Sequence, residues 1–134
     1  MPRKRATPKP GPFLHVTLQR HDTDCAVACL AMYCGVPYEA ALLAIGKESI
    51  FWNGTSVKLL MEAAETLRCP LQEETTFDLD EDTGILWVGY RKGADHVVVL
   101  HEGTIIDTDG MLWDARDYMK AKRAKVKALF TRRD

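Results

Sequence analysis

Residues 18–32 read LQRHDTDCAVACLAM, and the interpretation of the whole chain starts from this stretch. Its second half has small and apolar residues at helical spacing. The polar residues 22–24 can cap the first turn, and Gly35 can end the helix in the left-handed conformation. We therefore predict a helix over about residues 24–34, with Cys25 at its N-terminus.

A cysteine at the start of a helix is physically suited to act as a nucleophile. The free N–H groups and the positive end of the helix dipole stabilise a thiolate relative to the thiol. Gln19 lies six residues before Cys25. Its side-chain NH2 group can therefore donate to an oxyanion beside the Cys25 backbone N–H. The segment predicts a nucleophile together with an oxyanion hole.

Two further helices are predicted downstream of Gly35. Pro37 suits the first turn of a short helix that closes at Gly46. Thr55 or Ser56 can cap a third helix, whose apolar stripe ends before a Cys-Pro pair. The first half of the chain is therefore predicted to be helical.

The hydrophobic period changes from helical to strand-like at Ile85. Three short runs, ILWVGY, HVVVL and TIID, are separated by turn signals at residues 91–93 and 102–103, which predicts an antiparallel meander. A basic amphipathic stretch over about residues 114–130 predicts a C-terminal helix, because its acidic residues come first and its basic residues later. Helices followed by strands indicate an α+β fold, with N-terminal helices packed on a small antiparallel sheet.

His96 begins the HVVVL run, where packing of the strand would fix the orientation of its ring. If the turn after this run has two residues, strand pairing sets His96 opposite Asp109 and Val98 opposite Asp107, on one face of the sheet. Either aspartate can then orient the imidazole. The residues predict a Cys-His-Asp triad with Cys25 as nucleophile and His96 as base.

These residues resemble the motifs of the papain-like cysteine peptidases that process double-glycine leader peptides, including their stand-alone bacterial and phage relatives. The family pattern is a Gln followed by Asp-Cys-Gly and then Ala-Cys-Leu-Ala-Met. Here the matching residues are Gln19, residues 24–26 and residues 28–32. Residues 96–100 are similar to the family's histidine strand, and Asp107 is similar to the aspartate of its Asp-Pro pair.

The resemblance implies a papain-like fold and hydrolysis of a peptide or isopeptide bond through a thioester acyl-enzyme. It implies four catalytic residues, Cys25, His96, Asp107 and Gln19, and it favours Asp107 over Asp109 as the orienting acid. It implies a peptide or protein substrate and no cofactor. An acyltransferase, a deamidase or a non-catalytic binding module on the same fold remains an alternative.

The sequence departs from the family pattern at two positions. Ala26 stands where the family has glycine after the nucleophile, and Thr108 stands where it has proline after the aspartate. Neither change removes a catalytic atom. The methyl group of Ala26 can narrow the cleft, so the family's cleavage after Gly-Gly does not transfer directly to this chain.

Composition sets the remaining expectations. With 134 residues, 46% of them hydrophobic and 28% charged, the chain fits one globular domain. We expect a flexible basic arm at residues 1–12, followed by a peptidase domain at residues 13–134 that ends in the basic helix. The arm leads into no apolar stretch of the kind found in a secretory signal, so we expect a cytoplasmic location.

The charge pattern and the cysteine spacing exclude several other classes. Both ends of the chain are basic, but short basic runs are usually solvated, so we expect no specific nucleic-acid binding. The apolar runs are too short to cross a membrane. Cys25, Cys29 and Cys34 do not have the spacing of a zinc site, and we expect no metal and no disulfide. The oligomeric state stays open.

Overall fold

The computed structural model describes residues 16–21, 23–46, 56–90 and 95–133, and the predicted arm at residues 1–12 lies outside them. Within the described residues the chain forms helices and a six-stranded antiparallel sheet, which confirms the α+β class. The helices are α1 (Cys25–Cys34), α2 (Tyr38–Ile45), α3 (Val57–Thr66) and α4 (Ala115–Lys122). The strands are β1 (Leu71–Glu74), β2 (Thr83–Tyr90), β3 (Asp95–His101), β4 (Thr104–Ile106), β5 (Leu112–Asp114) and β6 (Ala124–Arg132).

Helix α1 lies in the middle of the core. Residues 26–32 are all buried, as expected for a helix that is apolar on every side. The helix packs on β3 and β2 on one side and on α2 and α3 on the other. It ends at Gly35, whose φ of 69° is left-handed, which confirms the predicted boundaries.

The second and third helices also follow the sequence signals. Helix α2 starts after Pro37 and ends at Gly46. Of the two residues predicted to cap α3, Ser56 accepts a hydrogen bond from the Leu59 N–H at 3.1 Å, and Thr55 lies outside the described residues. In the described part of the chain, no single helix is long and apolar enough to cross a membrane. Helices α1 and α2 reach that size only when taken together across a 120° bend.

The sheet has the strand order β1-β6-β2-β3-β4-β5. Strands β2, β3 and β4 form the predicted meander, and β5 extends it. His101 pairs with Thr104, so residues 102–103, which the sequence marks as a turn, form a two-residue turn. Glu102 and Gly103 have φ values of 45° and 91°, which the right-handed twist of a short hairpin favours.

The predicted C-terminal helix over residues 114–130 is wrong in its second half. Arg123 has a left-handed φ of 51° and ends α4, after which the chain continues as β6 between β1 and β2. Leu129 and Phe130 are buried on opposite faces of the sheet. This burial outweighs the helix propensity of the alanine, lysine and leucine residues in the segment.

Apolar residues cover both faces of the sheet. On one face Ile85, Val97 and Val99 pack with the three N-terminal helices. On the other face Leu86 and Val98 pack with residues of α4. The N-terminal helices therefore pack on the sheet as predicted, and α4 covers the opposite face.

The close pairing of β2 with β6 is testable at Gly84. A Cβ at this position would lie 2.4 Å from the carbonyl oxygen of Phe130. Gly84→Ala should therefore lower the free energy of unfolding by about 1–3 kcal/mol, because backbone has to move. Urea denaturation followed by circular dichroism measures this loss.

Gly89→Ala in the same strand is the matched control. Its added Cβ would lie 2.7 Å from the flexible end of the Lys127 side chain and at an ordinary contact distance of 3.5 Å from the Asp95 Oδ1. It should cost less than about 1 kcal/mol. Equal stability of Gly84→Ala and the unchanged chain would contradict the position of β6 beside β2.

Candidate active site

The candidate site lies where the start of α1, the start of β3 and the end of β4 meet. Cys25 is the first residue of α1 and is half-buried. One helical turn later, the buried Cys29 thiol donates a hydrogen bond to the Val97 carbonyl at 3.2 Å. Because Val97 follows His96 directly, this contact sets the position of Cys25 relative to the imidazole.

His96 connects the thiol to a carboxylate. Its Nε2 lies 2.8 Å from the Asp107 Oδ1. The Cys25 side chain lies next to the ring and contributes to the raised pKa of His96. Since Nε2 faces Asp107, Nδ1 is the nitrogen left for the thiol. Three of the predicted site residues therefore form one connected chain of side chains.

Asp109, the other acid that the sequence left open, does not face His96. Strand β4 ends at Ile106, and a turn follows in which the Gly110 N–H donates to the Asp107 carbonyl at 3.0 Å. This turn exposes Asp109, whose carboxylate accepts from the Met111 N–H at 2.8 Å. The regular hairpin register stops before it reaches Asp109, which is why Asp107 contacts the ring.

The site holds a buried ionic pair. Burial opposes protonation of His96, but the interactions with Asp107 and Cys25 outweigh it and raise the pKa of His96 to about 9. Burial also disfavours the Asp107 carboxylate, yet the His96 contact and the Thr108 N–H hold its pKa below the ordinary value. At neutral pH an imidazolium therefore lies between the Asp107 carboxylate and the Cys25 side chain.

Gln19 is hydrogen-bonded to Thr108, the residue that follows Asp107. Its backbone N–H donates to the Thr108 carbonyl at 2.9 Å. Its Oε1 accepts from the Thr108 hydroxyl, and its Nε2 donates to the His21 carbonyl. One Nε2 hydrogen is therefore used within the loop, and among the described residues no second acceptor for Nε2 is found.

Asp24 does not cap α1 through its side chain. Its fully buried carboxylate turns back toward the loop and accepts from the N–H groups of Arg20 and His21 at 2.9 and 3.0 Å. The Tyr38 hydroxyl donates to the same carboxylate at 2.5 Å. Asp24 therefore fixes the loop that carries Gln19.

Two tyrosines beside the triad were not predicted from the sequence. Tyr90 stacks on the His96 ring, with centroids 5.8 Å apart and an interplanar angle of 30°. Its hydroxyl lies 2.7 Å from that of Tyr118, which is buried on α4. Strand pairing could have indicated Tyr90, because Val88 pairs with His96 and Tyr90 is the next residue on that face. No sequence signal places Tyr118, whose contact requires α4 to cover the sheet.

The other three cysteines differ from Cys25 in their surroundings. Burial raises the pKa of Cys29 well above its ordinary value. Cys34, at the far end of α1, has a raised pKa because of its hydrogen bond with Cys69. The same contact lowers the pKa of Cys69 to about 7, but Cys69 is only 3% exposed and is therefore shielded from reagents. All four cysteines are free thiols in the structure.

A scan against protein-family models finds no matching family, and a search of curated proteins finds no matching protein.

The contact between His96 and Asp107 leads to a prediction for the titration of His96. In the unchanged chain the imidazole should titrate with a pKa of about 9. Asp107→Asn removes the facing charge, so the pKa should fall toward the ordinary value of 6.5. NMR chemical shifts of the ring, followed against pH, measure both values.

Asp109→Asn is the control, because it removes a carboxylate that accepts from a backbone N–H and not from the ring. It should leave the His96 titration near that of the unchanged chain. A large fall of the His96 pKa in Asp109→Asn, with no change in Asp107→Asn, would reverse the assignment of the acid.

Proposed function

We propose that this chain is a cysteine peptidase with a papain-like fold, and that Cys25 is its nucleophile. The observation that carries the proposal is the connected set of Cys25, His96 and Asp107, with His96 Nε2 2.8 Å from Asp107 Oδ1. The thiol lies at a helix N-terminus and the base lies on a strand packed beneath that helix. The resemblance of residues 18–32 to the leader-processing peptidases supports the same proposal.

Acylation starts from the Cys25 thiolate. The sulfur attacks the carbonyl carbon of the scissile bond, forming a C–S bond and placing negative charge on the carbonyl oxygen. The Cys25 backbone N–H and the second Nε2 hydrogen of Gln19 donate to that oxyanion. The His96 imidazolium then gives its Nδ1 proton to the leaving amine as the C–N bond breaks. A thioester remains on Cys25.

Deacylation reverses the role of His96. The neutral imidazole takes a proton from a water molecule, and the resulting hydroxide attacks the thioester carbon. Collapse of the second tetrahedral intermediate breaks the C–S bond, releases the carboxylic acid product and restores the thiolate beside an imidazolium. Asp107 stabilises that imidazolium in both steps and fixes which nitrogen faces the sulfur.

The substrate in this proposal is a peptide or protein, and the cellular setting is the cytoplasm. Free cysteines throughout the fold suit a reducing compartment. If an amine replaces water in the second step, the same thioester gives a transferase reaction. The mass of the product formed with and without added amine distinguishes hydrolysis from transfer.

The proposal predicts selective alkylation of Cys25. Iodoacetamide should modify Cys25 at least about 10²-fold faster than Cys29, Cys34 or Cys69, because Cys29 and Cys69 are buried and the pKa of Cys34 is raised. Peptide mapping by mass spectrometry measures the four rates in one experiment. Equal, slow modification of the four residues would favour a non-catalytic binding module.

Turnover provides a second and independent prediction. Cys25→Ala should abolish cleavage of a pool of internally quenched peptides of mixed sequence, while the circular dichroism spectrum stays unchanged. Cys34→Ala, at the other end of the same helix, should keep that activity. Cleavage by Cys25→Ala at the rate of the unchanged chain would remove the proposed nucleophile.

A further inference from the structure

Thr108 contacts both Asp107 and Gln19 in the candidate site. Its backbone N–H donates to the Asp107 Oδ1 at 2.7 Å, and its carbonyl accepts from the Gln19 N–H at 2.9 Å. Its hydroxyl donates to the Gln19 Oε1. Thr108 itself is 1% exposed, so these contacts are shielded from water.

The direction of the hydroxyl proton decides what Thr108 does. A threonine hydroxyl has one proton to donate. The Asp107 Oδ1 lies 3.5 Å away and already accepts from Thr108 N–H and His96 at shorter distances. The hydroxyl proton therefore points to Gln19 Oε1, the acceptor end of the carboxamide.

The other end of the carboxamide is fixed by an acceptor. The His21 carbonyl can only accept, so it must face Nε2 and not Oε1. If the amide turned over, two oxygen acceptors would face each other at His21. The Thr108 hydroxyl and the His21 carbonyl thus hold opposite ends of one side chain.

We infer that Thr108 is a positioning residue, whose hydroxyl holds the Gln19 carboxamide with its NH2 group directed at the oxyanion. This inference rests on the proposed function, because it concerns the acyl-transfer step at Cys25. It assigns a role to a residue that departs from the resembling family. Proline at this position has neither a hydroxyl nor an N–H to donate, so this link is particular to the present chain.

Acylation by p-nitrophenyl acetate tests the inference without knowledge of the natural substrate. Thr108→Val keeps the shape but leaves Gln19 Oε1 without its donor, and it should slow the burst of p-nitrophenolate about 5- to 30-fold, as expected for one hydrogen bond. Thr108→Ser keeps the hydroxyl and should restore most of the rate. Gln19→Ala should slow the burst by about 10²–10³-fold, as for loss of an oxyanion donor.

Alkylation separates positioning from general damage to the site. Iodoacetamide reacts at a saturated carbon and forms no oxyanion, so Thr108→Val should alkylate at Cys25 as fast as the unchanged chain. In the Gln19→Ala background, Thr108→Val should cause no further loss in the burst, because the group that it positions is gone. Thr108→Ala offers a second hydroxyl-free variant if Thr108→Val does not fold.

Two results would overturn the inference while leaving the proposed function intact. One is a parallel fall of acylation and alkylation in Thr108→Val, and the other is an additive loss in the double variant. A p-nitrophenolate burst that survives in Cys25→Ala would instead overturn the proposed function, and this inference with it.

Discussion

The candidate site depends on the packing of α1 against β3. Cys29 and Val97 meet in fully enclosed surroundings, with the thiol 3.2 Å from the carbonyl oxygen. Cys25 lies one turn before this contact on the helix, and His96 lies one residue before it on the strand. A slide of the helix along the strand would therefore separate the thiol from the imidazole. A closely packed interior resists such a slide, so Cys25 and His96 stand on rigid elements.

Two buried carboxylates, those of Asp24 and Asp107, lie on either side of the contact between α1 and β3. A buried carboxylate is stable only when it is hydrogen-bonded or paired, and both Asp24 and Asp107 meet that condition. Asp24 is satisfied by neutral donors from the loop and from Tyr38, so it has a structural effect. Asp107 is satisfied in part by the titratable ring of His96, so its charge acts directly on the site. Asp24 thus fixes the conformation of the loop, and Asp107 stabilises the protonated form of His96.

The sequence was informative where local patterns decide the structure. The bounds of α1, its glycine end and the two-residue turn before β4 follow from residues close together in the chain. The position of β6 does not follow from local patterns, because β6 pairs with a strand that is distant in the sequence. Leu71 of β1 faces Arg132 of β6, and no local signal specifies that partner. Strand register alone would have selected Asp109, and only the turn after β4 brings Asp107 to His96. The position of Tyr118 beside Tyr90 could not be predicted either, because it depends on the packing of α4 against the sheet.

The central claim is that Cys25 carries an acyl group during the reaction. The direct measurement is peptide mapping by mass spectrometry of the protein quenched during the p-nitrophenyl acetate burst. The account predicts an acetyl group on Cys25 that hydroxylamine removes, as it removes other thioesters, and that is missing when His96→Ala is treated in the same way. Acetylation confined to lysine side chains and resistant to hydroxylamine, with Cys25 unmodified, would contradict it.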